Sequence, residues 1–140
     1  MKKSFMLWIT IFVIAGSILT ACAGNNSDVL SGNWKLISYG SLTDPTPAAP
    51  NVETSLTFGT DGKLSGSVGC NSFGGDYKVD GNTITFGALA STEMACAEPL
   101  MQQESAVFNL LSNSAAFQVD GNTLTITSTD GISVVVFARN

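Results

Sequence analysis

From Trp34 onward, apolar and polar positions alternate in short runs, and Asp-Gly pairs divide the runs at Asp61-Gly62, Asp80-Gly81, Asp120-Gly121 and Asp130-Gly131. An Asp-Gly pair between alternating runs is a hairpin signal, because both residues accept the backbone conformations that a tight turn demands. The alternation predicts strands over residues 34–39, 55–59, 63–68, 75–79, 83–89, 116–119, 123–127 and 133–138. Two turns sit in near copies, VDGNTIT at residues 79–85 and VDGNTLT at residues 119–125. In each copy the branched apolar residue takes one face and the threonines the other, as a half-buried antiparallel strand requires. Between the first two strands, Pro45, Pro47 and Pro50 in SLTDPTPAAPN are expected to forbid ladder pairing and to mark an exposed loop, a candidate contact segment.

One stretch reads as a helix, residues 99–111, with Glu98 and Pro99 at its start and Asn113 as a stop. At about 100° per residue, Leu100, Val107, Phe108 and Leu111 fall on one side, which should pack on the sheet. The expected fold is mainly β with one helix (α+β): a curved antiparallel sheet or partly closed β-barrel, with the amphipathic helix covering an opening. Closure would also protect the edge strands.

The first 22 residues break from this pattern. Lys2 and Lys3 give a positive start, residues 5–19 are apolar, and Leu19, Thr20, Ala21 and Cys22 close the segment in the manner of a bacterial lipoprotein signal. That resemblance implies cleavage before Cys22, a diacylglycerol thioether on its sulfur and an acylated amino group, so the membrane is a partner through the N-terminal lipid. A transmembrane anchor is the competing reading, although the apolar run is shorter than the roughly 20 residues a bilayer needs. A plain secretory signal is another. The organisation expected is a signal at 1–21, a flexible tether at 22–31 and a domain at 32–140. By the same resemblance, Ala23 rather than an aspartate after the cysteine favours the outer membrane, facing the periplasm, in a two-membrane bacterium; otherwise the outer face of the plasma membrane is expected.

Cleavage would leave 119 residues, one domain's worth, with four basic side chains (Lys35, Lys63, Lys78 and Arg139) against eleven acidic ones. Such a surface repels phosphate, which argues against nucleic acid as a partner. The chain has no histidine, so the commonest general base and zinc ligand are missing, and neither enzymatic activity nor a cofactor is expected. Met94 and Met101 bracket Cys96 and raise a Cu(I) site, but methionines filling core gaps are the expected reading and no metal is assigned. The four Asp-Gly aspartates have turn roles and lack the spacing of a calcium loop.

With Cys22 used as the anchor, Cys70 and Cys96 are an even pair in an oxidising compartment and are expected to be bonded. Two reduced core thiols and a redox couple are the competing readings.

Gly69, Cys70, Asn71 and Gly74 to Tyr77 spell GCNSFGGDY, followed by TEMACAEPLMQQESAVFNLL with Thr92, Met94, Ala95, Cys96, Pro99, Met101, Glu104, Phe108 and Leu111. The chain resembles the META/HslJ family of bacterial envelope and heat-shock-associated proteins. The resemblance implies one small, mostly antiparallel β domain with a barrel-like sheet and one helix, frequently lipid-anchored, with no established enzymatic activity. Heat-shock response, novobiocin resistance, motility and secretion are the phenotypes it brings with it. Gly69 and Gly74 are expected to let the chain bend around Cys70, with Asn71 bonding the backbone of its own turn. A bond from Cys70 to Cys96 would tie this turn to the residues before the helix. Glu104 lies about 40° from Leu100, inside the apolar stripe, and is expected to meet backbone N–H groups, a tyrosine hydroxyl or a lysine; a rim-exposed side chain and a catalytic or ligand-binding one are the competing readings.

The leading functional expectation is a non-catalytic, membrane-anchored envelope lipoprotein that binds an envelope component or supports stress tolerance. One alternative is a small hydrophobic ligand held in a barrel lined by Trp34, Phe58, Phe86 and Phe117. Another is an inhibitor or secretion-assisting module that uses residues 41–51.

Overall fold

The computed structural model describes residues 26–140, so the signal-like segment and Cys22 lie outside the described residues. The elements run α1 (Ser27–Leu30), β1 (Gly32–Ser41), β2 (Pro45–Pro47), β3 (Ser55–Phe58), β4 (Lys63–Ser67), β5 (Ser72–Asp80), β6 (Thr83–Phe86), β7 (Ala90–Ser91), α2 (Glu98–Leu111), β8 (Ser114–Asp120), β9 (Thr123–Ser128) and β10 (Ser133–Arg139). Eight of the strands form a closed antiparallel barrel in the order β1-β3-β4-β5-β6-β8-β9-β10, with β10 returning to β1 from Trp34↔Arg139 to Ser41↔Ser133. β2 and β7 pair outside the ring, on β1 and β5.

The alternation does what it predicts. Leu56, Phe58, Leu64, Phe73, Tyr77, Ile84, Phe86, Phe117, Leu124, Ile126 and Phe137 all point inward and join Trp34 and Leu36 in one core. The four Asp-Gly turns place Gly62, Gly81, Gly121 and Gly131 at φ 76°, 60°, 57° and 72°, the left-handed region a glycine enters without steric cost. The repeated sequence forms the β5–β6 and β8–β9 hairpins, which lie side by side through the β6–β8 ladder.

Two expectations need correction. Pro45 and Pro47 do pair, as the ends of β2 opposite Gly40 and Ser38. They are tolerated because β2 is an exposed edge, where a missing N–H can face solvent, and Thr46 between them keeps its own N–H opposite Tyr39. Where β1 exchanges β3 for β2 as its neighbour, the Leu36 N–H donates to Thr54 Oγ1 at 2.9 Å, so the fork leaves no orphaned donor there. Second, the domain takes in residues before Gly32. Residues 27–30 are helical and Leu30 is fully buried, so the last part of the expected tether belongs to the domain.

Antiparallel alternation sorts the turns between two ends. The start of β1, the end of β10 and the three turns at Asp61-Gly62, Asp80-Gly81 and Asp120-Gly121 lie at one end, with α1. The connection after β4, the start of β8, the Asp130-Gly131 turn and α2 lie at the other. α2 packs on β1, β8 and β10.

Candidate functional site

The motif residues converge where α2 meets the β4–β5 connection. Glu104 is 5% exposed and sits on the buried face of α2, as its place in the stripe requires. Its Oε2 accepts from the N–H of Cys70 at 2.9 Å and of Asn71 at 2.6 Å, and its Oε1 accepts from Asn71 Nδ2 at 2.7 Å. Two backbone donors and one amide therefore replace the water that the carboxyl group loses on burial, a loss that would otherwise cost several kcal/mol.

Asn71 departs from the expected role. Its amide does not bond its own turn but reaches across to the chain before the helix. Oδ1 accepts from Thr92 Oγ1 at 2.8 Å and the Met94 N–H at 2.7 Å, while Nδ2 also donates to the Met94 carbonyl at 3.2 Å. Thr92 returns a bond by accepting from the Ser72 N–H at 3.2 Å. Beside this network Cys70 and Cys96 are disulfide-bonded, with Cα atoms 6.0 Å apart. The reduced-thiol reading gives way to the bridge. Among the described residues no buried side-chain N or O lacks a partner.

Gly69 serves close approach rather than a sharp bend. A Cβ there would stand 2.8 Å from the Leu100 carbonyl oxygen and 3.1 Å from Glu104 Cβ, so only glycine lets α2 come this near. Gly74 lies within β5, where a Cβ would meet the Leu64 carbonyl at 3.4 Å. Pro99 occupies the first turn of α2, where no N–H is needed. Phe108 is half-buried and meets Phe73 edge-on at 5.0 Å between centroids.

Tyr77 is not brought to the others. It lies in the distal half of β5, where its hydroxyl donates to the Gly59 carbonyl at 2.7 Å and its ring meets Phe58 edge-on at 5.0 Å. Burial, then the charges of Asp61 and Asp28, push its phenol above the ordinary value.

Met94 contradicts the core-filling expectation, being 55% exposed, because its backbone rather than its side chain is what Asn71 holds. No cluster of three or more His, Cys, Asp or Glu side chains occurs among the described residues. A residue the pattern did not single out is Gln103. It is fully buried beside Glu104, donates from Nε2 to the Val68 carbonyl at 2.5 Å and accepts the Ala49 N–H at 2.7 Å. α2 thereby also fixes the chain that follows β2. Two adjacent polar residues on a stripe face were the available signal.

Both mouths of the barrel are covered. α2 lies over one, and Leu30 occupies the other below Trp34, whose Nε1 donates to the Leu30 carbonyl at 2.7 Å. Trp34, Phe58, Phe86 and Phe117 belong to the packed core at 0%, 1%, 6% and 6% exposure, so the interior expected of a ligand-holding barrel is occupied by the protein's own side chains. The larger clefts lie outside. One of about 400 Å³ runs between the end of α2 and the β9–β10 turn, lined by Asn109, Leu110, Asn113, Ser128, Thr129 and Asp130 among others.

Fold and site together define a class: a small closed β-barrel whose main helix, α2, is braced onto it by a buried carboxylate and a disulfide. The chain belongs to the META domain family, whose profile matches residues 27–140. Over 72 residues it is 32% identical to heat shock protein HslJ of Escherichia coli strain K12; that match covers 51% of each chain, so this chain spans about half the length of that curated relative. Among solved structures it resembles a protein from Burkholderia xenovorans determined by NMR (TM-score 0.67, 24% identity, 82% of this chain and 86% of that one). It also resembles a duf4847 family protein from Bacteroides vulgatus (TM-score 0.61, 18% identity, 84% and 98%). At these identities the two structures speak for the fold alone.

Proposed function

We propose that the chain is a non-catalytic envelope lipoprotein, held at the membrane by an acylated Cys22 and acting by binding another envelope component or by supporting tolerance of stress. The heat-shock name of its relative supports the stress reading. The observation that carries the proposal is the state of the motif's polar groups. Both oxygens of Glu104 and both ends of the Asn71 amide are taken up in internal hydrogen bonds, and the two cysteines are joined. A reaction centre needs a nucleophile or base with a lone pair free to face substrate. These groups brace the fold instead, and contact falls to the outer surface.

One feature of that surface favours a protein partner. Leu42, 45% exposed, and Ile132, 65% exposed, lie together beside β2 because the Leu42 N–H donates to the Ile132 carbonyl at 2.8 Å. A photo-crosslinking amino acid placed at Leu42 or at Thr129 in cells tests the reading. A discrete adduct that is lost when Cys22→Ser releases the protein is expected. A protein recovered in the soluble fraction with Cys22 intact, or no adduct from either position, would contradict it.

A further inference from the structure

The chain that joins the anchor to the barrel is short, and its last part is locked. Arg139 donates from Nη1 to the Ser31 carbonyl at 2.8 Å and from Nη2 to the Val29 carbonyl at 2.9 Å. Its guanidinium lies 4.2 Å over the Trp34 ring. Leu30 is fully buried beneath, and Asn26 Nδ2 donates to the Gly81 carbonyl at 2.7 Å. Gly32, at φ 114°, then turns the chain into β1 with Arg139 Nη1 only 3.2 Å from where a Cβ would stand. The contacts that hold the chain to the barrel therefore begin near Asn26, not at Gly32.

We propose that this docking fixes how the protein stands on the membrane: the end bearing α1 and the Asp61-Gly62, Asp80-Gly81 and Asp120-Gly121 turns faces the lipid surface, and the α2 end faces away. The inference rests on the lipid-anchor reading of Cys22. From Cys22 to Asn26 the chain can reach at most about 14 Å, at roughly 3.6 Å per residue. β1 is ten residues long; at a rise of about 3.4 Å and a tilt of about 40°, the far end of the barrel stands some 24 Å higher. The tether is too short to invert the domain.

Charge alone does not set this orientation. Lys35, Lys63, Lys78 and Arg139 lie toward the membrane-facing end, but so do Asp28, Asp61, Asp76, Asp80 and Asp120, with Arg139 engaged with α1 and Trp34 and Lys63 paired with Asp76. Proximity comes from the covalent anchor and the latch. The outward face then carries the disulfide, exposed Met94, the Leu42 and Ile132 pair and the cleft beside α2, which places the surfaces available to a partner away from the bilayer.

The test uses the full-length lipidated protein in phosphatidylethanolamine and phosphatidylglycerol vesicles containing a headgroup spin-labelled lipid. With Cys22 acylated and Cys70 bonded to Cys96, a fluorophore can be attached at Asn82→Cys or at Thr129→Cys without reduction. Quenching several-fold stronger at position 82 than at position 129 is expected. A ten-residue Gly-Ser insertion between positions 25 and 26 should bring the two values together. Equal quenching in the uninserted protein, or stronger quenching at position 129, overturns the orientation alone. A protein whose mass shows no lipid on Cys22 overturns the anchor and the orientation with it.

Discussion

Replacing Glu104 by glutamine changes almost no volume, and the hydrogen-bond geometry sets its cost. The glutamine oxygen can keep the N–H groups of Cys70 and Asn71, which both meet Oε2 in the native protein. Its NH2 group then faces Asn71 Nδ2, donor against donor, where Oε1 accepts at 2.7 Å. Asn71 cannot relieve this by turning its amide, because Oδ1 is held by Thr92 Oγ1 and the Met94 N–H. One buried donor left unpaired costs about 1–3 kcal/mol, and loss of the charge weakens the two remaining bonds. We expect Glu104→Gln to lose about 3 kcal/mol, on the order of 10 °C in Tm for a domain of this size. A urea titration under non-reducing conditions measures it with the disulfide intact. The double variant Asn71→Asp with Glu104→Gln restores a donor facing an acceptor at this contact, so it should be less destabilised than the sum of the two single variants. A Glu104→Gln protein as stable as wild type, or strictly additive losses, would refute this account of the brace.

Other consequences follow from neighbouring groups. Gly69→Ala should destabilise by about 1–3 kcal/mol despite ordinary backbone angles, because its Cβ meets the Leu100 carbonyl; an unchanged urea midpoint would contradict the close approach. Changing both Cys70 and Cys96 to alanine opens a 26-residue link and should cost about 3–4 kcal/mol in the chain-entropy model. Amide exchange should rise first at residues 92–100, and a uniform rise along the chain would count against a helix clamp. Tyr77 has its phenol raised in the fold above its ordinary 10.0, mainly by burial. The neutral form is therefore favoured in the native state, and the stability linked to it is complete below the ordinary value and lost as pH rises through the higher native one. Tyr77→Phe should show a shallower alkaline loss of stability than wild type; parallel profiles would refute the burial effect.

Much of this architecture was legible because it depends on local chemistry. Alternation and Asp-Gly pairs located the hairpins, since a period of two residues and a left-handed glycine are properties of the strand and the turn themselves. The helix showed in its stripe, and the misplaced charge of Glu104 announced a buried network. What sequence alone did not show depends on distant partners. β2 pairs in spite of its prolines because β1 offers a free edge there. Residues 27–30 look like linker until Arg139, more than a hundred positions away, is seen holding their carbonyls. Asn71 and Gln103 have ordinary turn and surface chemistry, and only the fold reveals that one bonds the chain before α2 and the other the chain after β2.

The central claim is that this brace-stabilised barrel works from the membrane through an acylated Cys22. Intact-mass analysis of the native protein extracted from membranes tests it most directly. The predicted result is a chain that begins at Cys22 and carries a diacylglyceryl thioether with an acylated amino group. A chain retaining Met1, or one that begins with an unmodified thiol and is recovered from the soluble fraction, would contradict it.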